Sequence, residues 1–204
     1  MNEKLNKNIV GISFRKEKPS GIPRLSSNDK HCHFIGKAKR GEAFYISVEN
    51  INCPLARFYL GIELKDLKDL SRTLVSWDDA IDEKVGLNYL TSAICIKKSK
   101  QYIIYFAYPY QELKPDVIIK IDSPDQVMFT IQKFSSLTGT RVNASLSGIG
   151  AACGECTAYP LVTREANVSV GCYGSRPGVN LEKEELFLAA PFNSKMAEVM
   201  IGRG

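Results

Sequence analysis

The chain has 204 residues, 44% of them hydrophobic and 24% charged, a composition that sets aside a disordered chain and leaves enough apolar material for a real core in one domain or two small ones. No apolar run reaches bilayer-spanning length and the opening "MNEKLNKNIVG" has no signal-peptide core, so a soluble, cytoplasmic protein away from membranes is expected. The net charge of +5 is mild, and the clusters "KAKR" (Lys37–Arg40) and "KKSK" (Lys97–Lys100) lack interleaved aromatics, which argues against nucleic acid as a partner.

Apolar alternation and β-branched content predict strands at Ile9–Phe14 and Ala43–Val48. "LKDLKDLSRTLVSWDDAIDEKV" (Leu64–Val85) comes next and reads as one or two short amphipathic helices, with Trp77 as an anchor and its acids as a solvated face. Strands are then predicted at Tyr102–Phe106 and Val117–Ile121. "SPDQVMFTIQKFSSLTG" carries a complete helix signature: Ser123 to cap, Pro124 at the first position, Val127, Phe129, Ile131 and Phe134 as apolar surface, and Gly139 to stop it. Further strands are expected at Arg141–Leu146 and Leu186–Ala189. Strands alternating with helices argue for an α/β or α+β fold, a layered mixed sheet with helices.

The two parts of the chain resemble each other. "YISVENINCPLARFY" (Tyr45–Tyr59) set on "SLSGIGAACGECTAY" (Ser145–Tyr159) aligns Ser47 with Ser147, Cys53 with Cys153 and Tyr59 with Tyr159. "SAIC" (Ser92–Cys95) and "SVGC" (Ser169–Cys172) come next in the same order, then "FAYPY" (Phe106–Tyr110) and "LAAPF" (Leu188–Phe192). An internal duplication is expected, one compact domain of two pseudo-repeats near 9–115 and 116–204, with extra helical sequence around Lys65–Gly86 in the first. Cys53 and Cys153 would then sit at equivalent strand ends facing one crevice.

Six cysteines in a chain without a secretion signal point to free thiols, metal ligands or redox groups rather than structural disulfides. "SGIGAACGECTAYP" (Ser147–Pro160) holds Cys153 and Cys156 in a Cys-x-x-Cys pair, which in a tight turn aims two soft sulfurs at one ion. A zinc ribbon needs a second close pair, which is absent. An iron–sulfur cluster accepts a short motif plus distant cysteines, for which Cys53, Cys172 and Cys32 are the extras. Cys95, in the strand-like "AICI", is the weakest candidate. His31 and His33 flank Cys32 in "KHCHF" and read as metal ligands, as groups that poise the nearby thiol, or as two solvated imidazoles at a helix start.

Two alternatives stay open for the same loop. A Cys-x-x-Cys after a strand, at a helix N-terminus, is also a thiol–disulfide redox motif, although Glu155 disfavours a neighbouring thiolate. Gly148 and Gly150 begin G-x-G-x-x-C, a near miss of the dinucleotide fingerprint with Glu165 roughly in range as its acidic partner, and a phosphate could rest there with Arg176 as counter-charge. Tyr159 and Ser147 would line such a small-ligand site. No catalytic triad, metalloprotease helix or carboxylate pair is evident, so whether the protein is an enzyme is left undecided.

"CGECTAYP" followed by "CYGSR", with "HCHFIGKAKRGEAFYISVENINCPLARFYLG", "NASLSGIGAACGECTAYP" and "LFLAAPFNSKMAEVM", closely resembles the uncharacterised ArCR family, a domain-of-unknown-function family of anaerobes and archaea, over most of the chain. The resemblance implies a Cys-rich soluble protein and no established activity. The residues themselves point first to a thiolate-ligated cofactor, an iron–sulfur cluster ahead of zinc or none, in accessory redox or electron-transfer work. A redox partner protein or a small-molecule ligand is the expected partner, and an oligomer is compatible with the sequence.

Overall fold

The structure, a computed structural model, describes residues 8–63 and 66–203, so Met1–Lys7, the first two residues of the expected Leu64–Val85 helical stretch and Gly204 lie outside it. Six strands, β1 (Ile9–Arg15), β2 (Phe44–Ser47), β3 (Tyr102–Ala107), β4 (Val117–Asp122), β5 (Asn167–Ser169) and β6 (Leu186–Pro191), pair in the order β2-β3-β1-β4-β6-β5. Every pairing is antiparallel. Alternate residues point to opposite faces of such a sheet. Val10, Ile12 and Phe14, Ile103 and Tyr105, and Val117, Ile119 and Ile121 pack on one face. Ile9, Ile104, Phe106, Ile118 and Leu188 pack on the other. Both faces are buried, which is why these strands read as nearly unbroken apolar runs.

Helices cover both faces and make the fold a layered arrangement of sheet and helices, as expected, but the sheet is antiparallel throughout rather than mixed. The first face carries α1 (His31–Lys39), α2 (Pro54–Tyr59), α3 (Leu67–Ser76), α4 (Glu83–Ser92), a π-helix (Ala151–Ala158), α6 (Tyr159–Thr163) and α7 (Ser175–Val179). The second face carries α5 (Pro124–Thr138) and α8 (Lys195–Met200). α5 starts where its sequence says: the Ser123 hydroxyl accepts the Gln126 N–H, Pro124 opens the helix, and Gly139 ends it in the left-handed region at φ 68°. Phe129, expected on its apolar face, is 56% exposed, and Thr130 takes a buried place instead.

Five of the expected strands form at their predicted places. Arg141–Leu146 does not: it is irregular, and the Asn167 side chain satisfies Ser145 in place of a strand partner, accepting its N–H at 2.8 Å and donating to its carbonyl at 3.0 Å. The strand of that region is β5, too short at three residues to show a period.

From the central β1–β4 pair outward, each half places its last strand second and its middle strand at the edge. β1 and β4 thus correspond in position, as do β3 and β6, which end in "FAYPY" and "LAAPF". The aligned cysteine stretches do not correspond. Tyr45–Ser47 is strand whereas Ser145–Ser147 is irregular, and Cys53 follows β2 whereas Cys153 precedes β5. The fold therefore does not establish the duplication, and the equivalence of Cys53 and Cys153 is not how the chain is built.

Two helices from opposite ends of the chain meet through glycine. α1 and α7 pack with Gly36 against Gly178: a Cβ on Gly36 would run into the Gly178 carbonyl oxygen, and one on Gly178 would lie 2.5 Å from the His33 ring and 2.8 Å from Cys32 Sγ. The Gly36 obstacle is backbone and cannot rotate away. Gly36→Ala is expected to lower stability by about 1–3 kcal/mol, the usual cost of overpacking, in denaturant unfolding.

Candidate functional site

Four cysteines from four separate elements line one pocket of about 610 Å³: Cys32 in α1, Cys53 at the start of α2, Cys153 in the π-helix and Cys172 just before α7. Three tertiary contacts bring them there. The segment before α1 runs parallel to that after β2, with the Asp29 N–H donating to the Asn50 carbonyl at 2.9 Å and the Asn52 N–H to the Asp29 carbonyl at 3.1 Å, which sets Cys32 beside Cys53. The Gly36–Gly178 contact brings the α7 start to α1, where the Cys32 thiol points at the Gly174 carbonyl, 3.4 Å away. The Tyr59 ring of α2 lies on Gly150 and Gly154, where no Cβ would fit, and this packs Cys153 against the same wall.

The sulfurs feel one another. Burial pushes the Cys32 thiol up to about 12, with Cys172 and Cys53 adding to the rise. Cys153 is pushed well above the usual thiol range by burial, then by Cys53, Cys172 and Cys32. Cys53 is raised by burial and, more weakly, by Cys172. Each member of the quartet thus lies within electrostatic reach of the other three. Opposing groups favour the charged form: the backbone N–H of His33 for Cys32, of Ala56 and Leu55 for Cys53 and of Gly154 for Cys153, with Lys30 acting on both Cys32 and Cys53. At Cys172 the Ser175 N–H donates to the sulfur at 3.3 Å. Every sulfur therefore has a backbone donor near a helix start.

Among the described residues, no three His, Cys, Asp or Glu side chains stand close enough to hold a single metal ion. A tetrahedral zinc with Zn–S bonds of about 2.3 Å needs its sulfurs nearly in contact, which this arrangement does not provide. A polynuclear iron–sulfur core, whose ligands sit on different irons, needs them further apart.

The Cys-x-x-Cys pair is not in a tight turn. Ala151–Ala158 is wound as a π-helix, rare and enriched at functional sites. An α-helix advances about 100° per residue, leaving positions three apart about 60° from alignment. The wider π-winding turns them further from each other. Cys153 faces the pocket, while Cys156 is fully buried outside its lining, beside Glu155 and Ser169, with its thiol pushed well above the usual range by burial. All six cysteines are free. Cys95 lies in an irregular stretch after α4 rather than in a strand, and burial raises its thiol to about 11.

The glycine loop is already filled by the protein itself. One oxygen of the buried Glu155 carboxylate accepts the Ser147 N–H at 2.6 Å, the Ser147 hydroxyl at 2.8 Å and the Gly148 N–H at 3.1 Å, and its other oxygen accepts the Ser169 hydroxyl. A phosphate at Gly148–Gly150 would have to displace that carboxylate. Arg176 is a staple: its guanidinium donates to the carbonyls of Val170, Glu182, Lys183 and Glu185, at 2.8 to 3.3 Å. Tyr159 donates to Glu165 at 3.1 Å, and with Ser147 it lines a second cavity of about 320 Å³ on the far side of the π-helix.

The family described as Uncharacterised ArCR matches residues 2–201, which takes in every residue of this pocket. The chain belongs to the ArCR family. It is similar to the uncharacterised protein MJ0308 of Methanocaldococcus jannaschii, 23% identical over 193 residues, which cover 92% of this chain and 83% of that protein. No solved structure matches. Among the described residues of this ArCR protein, no helix is long and apolar enough to cross a membrane.

One residue of this ArCR pocket departs from expectation. His31 is not solvated: it is 1% exposed, with Nδ1 2.8 Å from the Tyr105 hydroxyl and Nε2 2.9 Å from that of Thr157. Thr157 gives its own proton to the Ala152 carbonyl at 2.7 Å, so it can only accept, and Nε2 carries the imidazole proton while Nδ1 accepts from Tyr105. Both nitrogens are used, and His31 ties α1 to β3 and the π-helix instead of serving as a ligand. His33 turns away to Asp29, 2.5 Å from its carboxylate. Lys30, Asn52, Trp77 and Asp79 also line the pocket, and nothing in their local spacing announces it.

Proposed function

We propose that this ArCR protein holds an iron–sulfur cluster on the thiolates of Cys32, Cys53, Cys153 and Cys172 and serves as an accessory redox or electron-transfer component. The observation that carries this reading is the convergence of four mutually coupled thiols on one pocket. A single zinc on these residues is the less supported alternative, because among the described residues no three potential ligands stand close enough to share one ion. The low dielectric of the pocket disfavours isolated thiolates, so loading and deprotonation are coupled. Backbone N–H groups at the sulfurs are a means of setting a cluster's potential. Cys156 supports this reading less than its spacing suggests, because it lies outside the pocket lining.

A thiol–disulfide role for Cys153 and Cys156 is less supported. Both thiols are pushed up, opposite to the low value an attacking cysteine needs. Anaerobically purified protein is expected to be brown and to yield about four irons and four acid-labile sulfides per chain, the complement of a [4Fe–4S] core on four cysteines. Colourless protein with six titratable thiols, before and after anaerobic reconstitution with iron and sulfide, would overturn the reading.

A further inference from the structure

The pocket is larger than a cluster requires. The eight inorganic atoms of a cubane, even granted the roughly 30 Å³ that a water takes in the liquid, fill less than half of its 610 Å³. Depth separates the lining into two zones. Cys32 and Cys153 are 9% and 7% exposed and form the floor, while Trp77 and Tyr173, at 45% and 95%, stand at the rim. Lys30 and Asn52 are exposed beside them, and Asp79 is half-buried.

We propose that this outer zone binds a small aromatic carboxylate bearing a hydrogen-bond donor on its ring. The proposal deepens the cluster reading by naming the ligand beside the cluster, and rests on that reading for the use of the floor. Lys30 supplies the cation. Its ammonium lies close enough to Cys32 and Cys53 to act on both, and among the described residues it forms no ion pair. Trp77, held in the turn between α3 and α4, offers a flat indole to a flat ring. Asp79 would repel a second anionic group but accepts a hydroxyl or amino proton, which selects a ligand with its charge at one end and a donor at the other. Sites of this kind, mostly apolar with a few polar groups, occupy about 300–1,000 Å³.

Trp77 is the only tryptophan of the chain, so its fluorescence reports the rim directly. The experiment titrates 4-hydroxybenzoate into the full chain in two forms, metal-free with reduced thiols and reconstituted with iron and sulfide. A saturable change in Trp77 emission is expected in both. Lys30→Gln should weaken it at least tenfold, Asp79→Ala should erase the preference for 4-hydroxybenzoate over benzoate, and cyclohexanecarboxylate should bind more weakly than benzoate. No saturable change at about 10 mM, where a millimolar binder is largely saturated, overturns the proposal, as does equal binding by the Lys30 variant. Iron and sulfide content reads the cluster separately: loaded protein with a flat titration rejects the ligand alone, and metal-free protein that binds it while never loading rejects the cluster alone.

Discussion

Replacing Cys32, Cys53, Cys153 or Cys172 singly with alanine is expected to lower iron and sulfide per chain at least tenfold, while Cys95→Ala and Cys156→Ala retain them. The contrast comes from placement, since the first four line the pocket and the other two do not. Cys53 and Cys172 are the cleaner tests: they are half-buried, so removing their sulfur disturbs packing little. Cys156 is fully buried, and its loss should instead cost about 1 kcal/mol of stability through the small cavity left behind. Thermal unfolding of the metal-free, reduced variants separates the two effects. Cys156→Ala should melt earlier yet load normally, and Cys53→Ala should melt like the parent yet fail to load. The reverse pattern would place the metal on the Cys-x-x-Cys pair and away from this pocket.

That contrast also marks how far the sequence can be read. β1, β3, β4 and β6 are legible because both faces of the sheet are covered, so nearly every residue of each strand is apolar or β-branched. α5 is legible because its start and stop are local chemistry: a serine hydroxyl, a proline, a glycine with φ of 68°. The site obeys no local rule. Cys32 meets Cys53 through a parallel bridge at Asp29–Ile51, and meets Cys172 through two glycines 142 positions apart, Gly36 and Gly178. A convergence of cysteines is legible in the sequence, but only through a repeat that aligns Cys53 with Cys153, and those residues follow and precede different strands. The Cys-x-x-Cys spacing misleads because its meaning depends on winding. In a turn the two sulfurs would share an ion, whereas in a π-helix Cys153 faces the pocket and Cys156 faces the core. "KHCHF" misleads in the other direction, since burial of His31 is decided by Tyr105 and Thr157, which are remote in sequence.

His31 carries the second large effect, a dependence of stability on acid. Complete burial lowers its pKa from 6.5 to about 3, because the imidazolium would lose its hydration. The depressed value means that protons prefer the unfolded chain. The contribution is intact above pH 6.5, falls by about 1.4 kcal/mol per pH unit below it, and is exhausted near the folded value of about 3, a total on the order of 5 kcal/mol. Carboxylates add their own acid sensitivity, so the informative quantity is the difference between the parent and His31→Gln in urea unfolding at pH 7, 5.5 and 4.5. At pH 7 the variant should be about 2–4 kcal/mol less stable, because the Tyr105 and Thr157 hydroxyls lose a well-placed partner in a sealed site. As pH falls the gap should close, since only the parent has this imidazole to protonate. A constant gap would show that His31 is not held neutral.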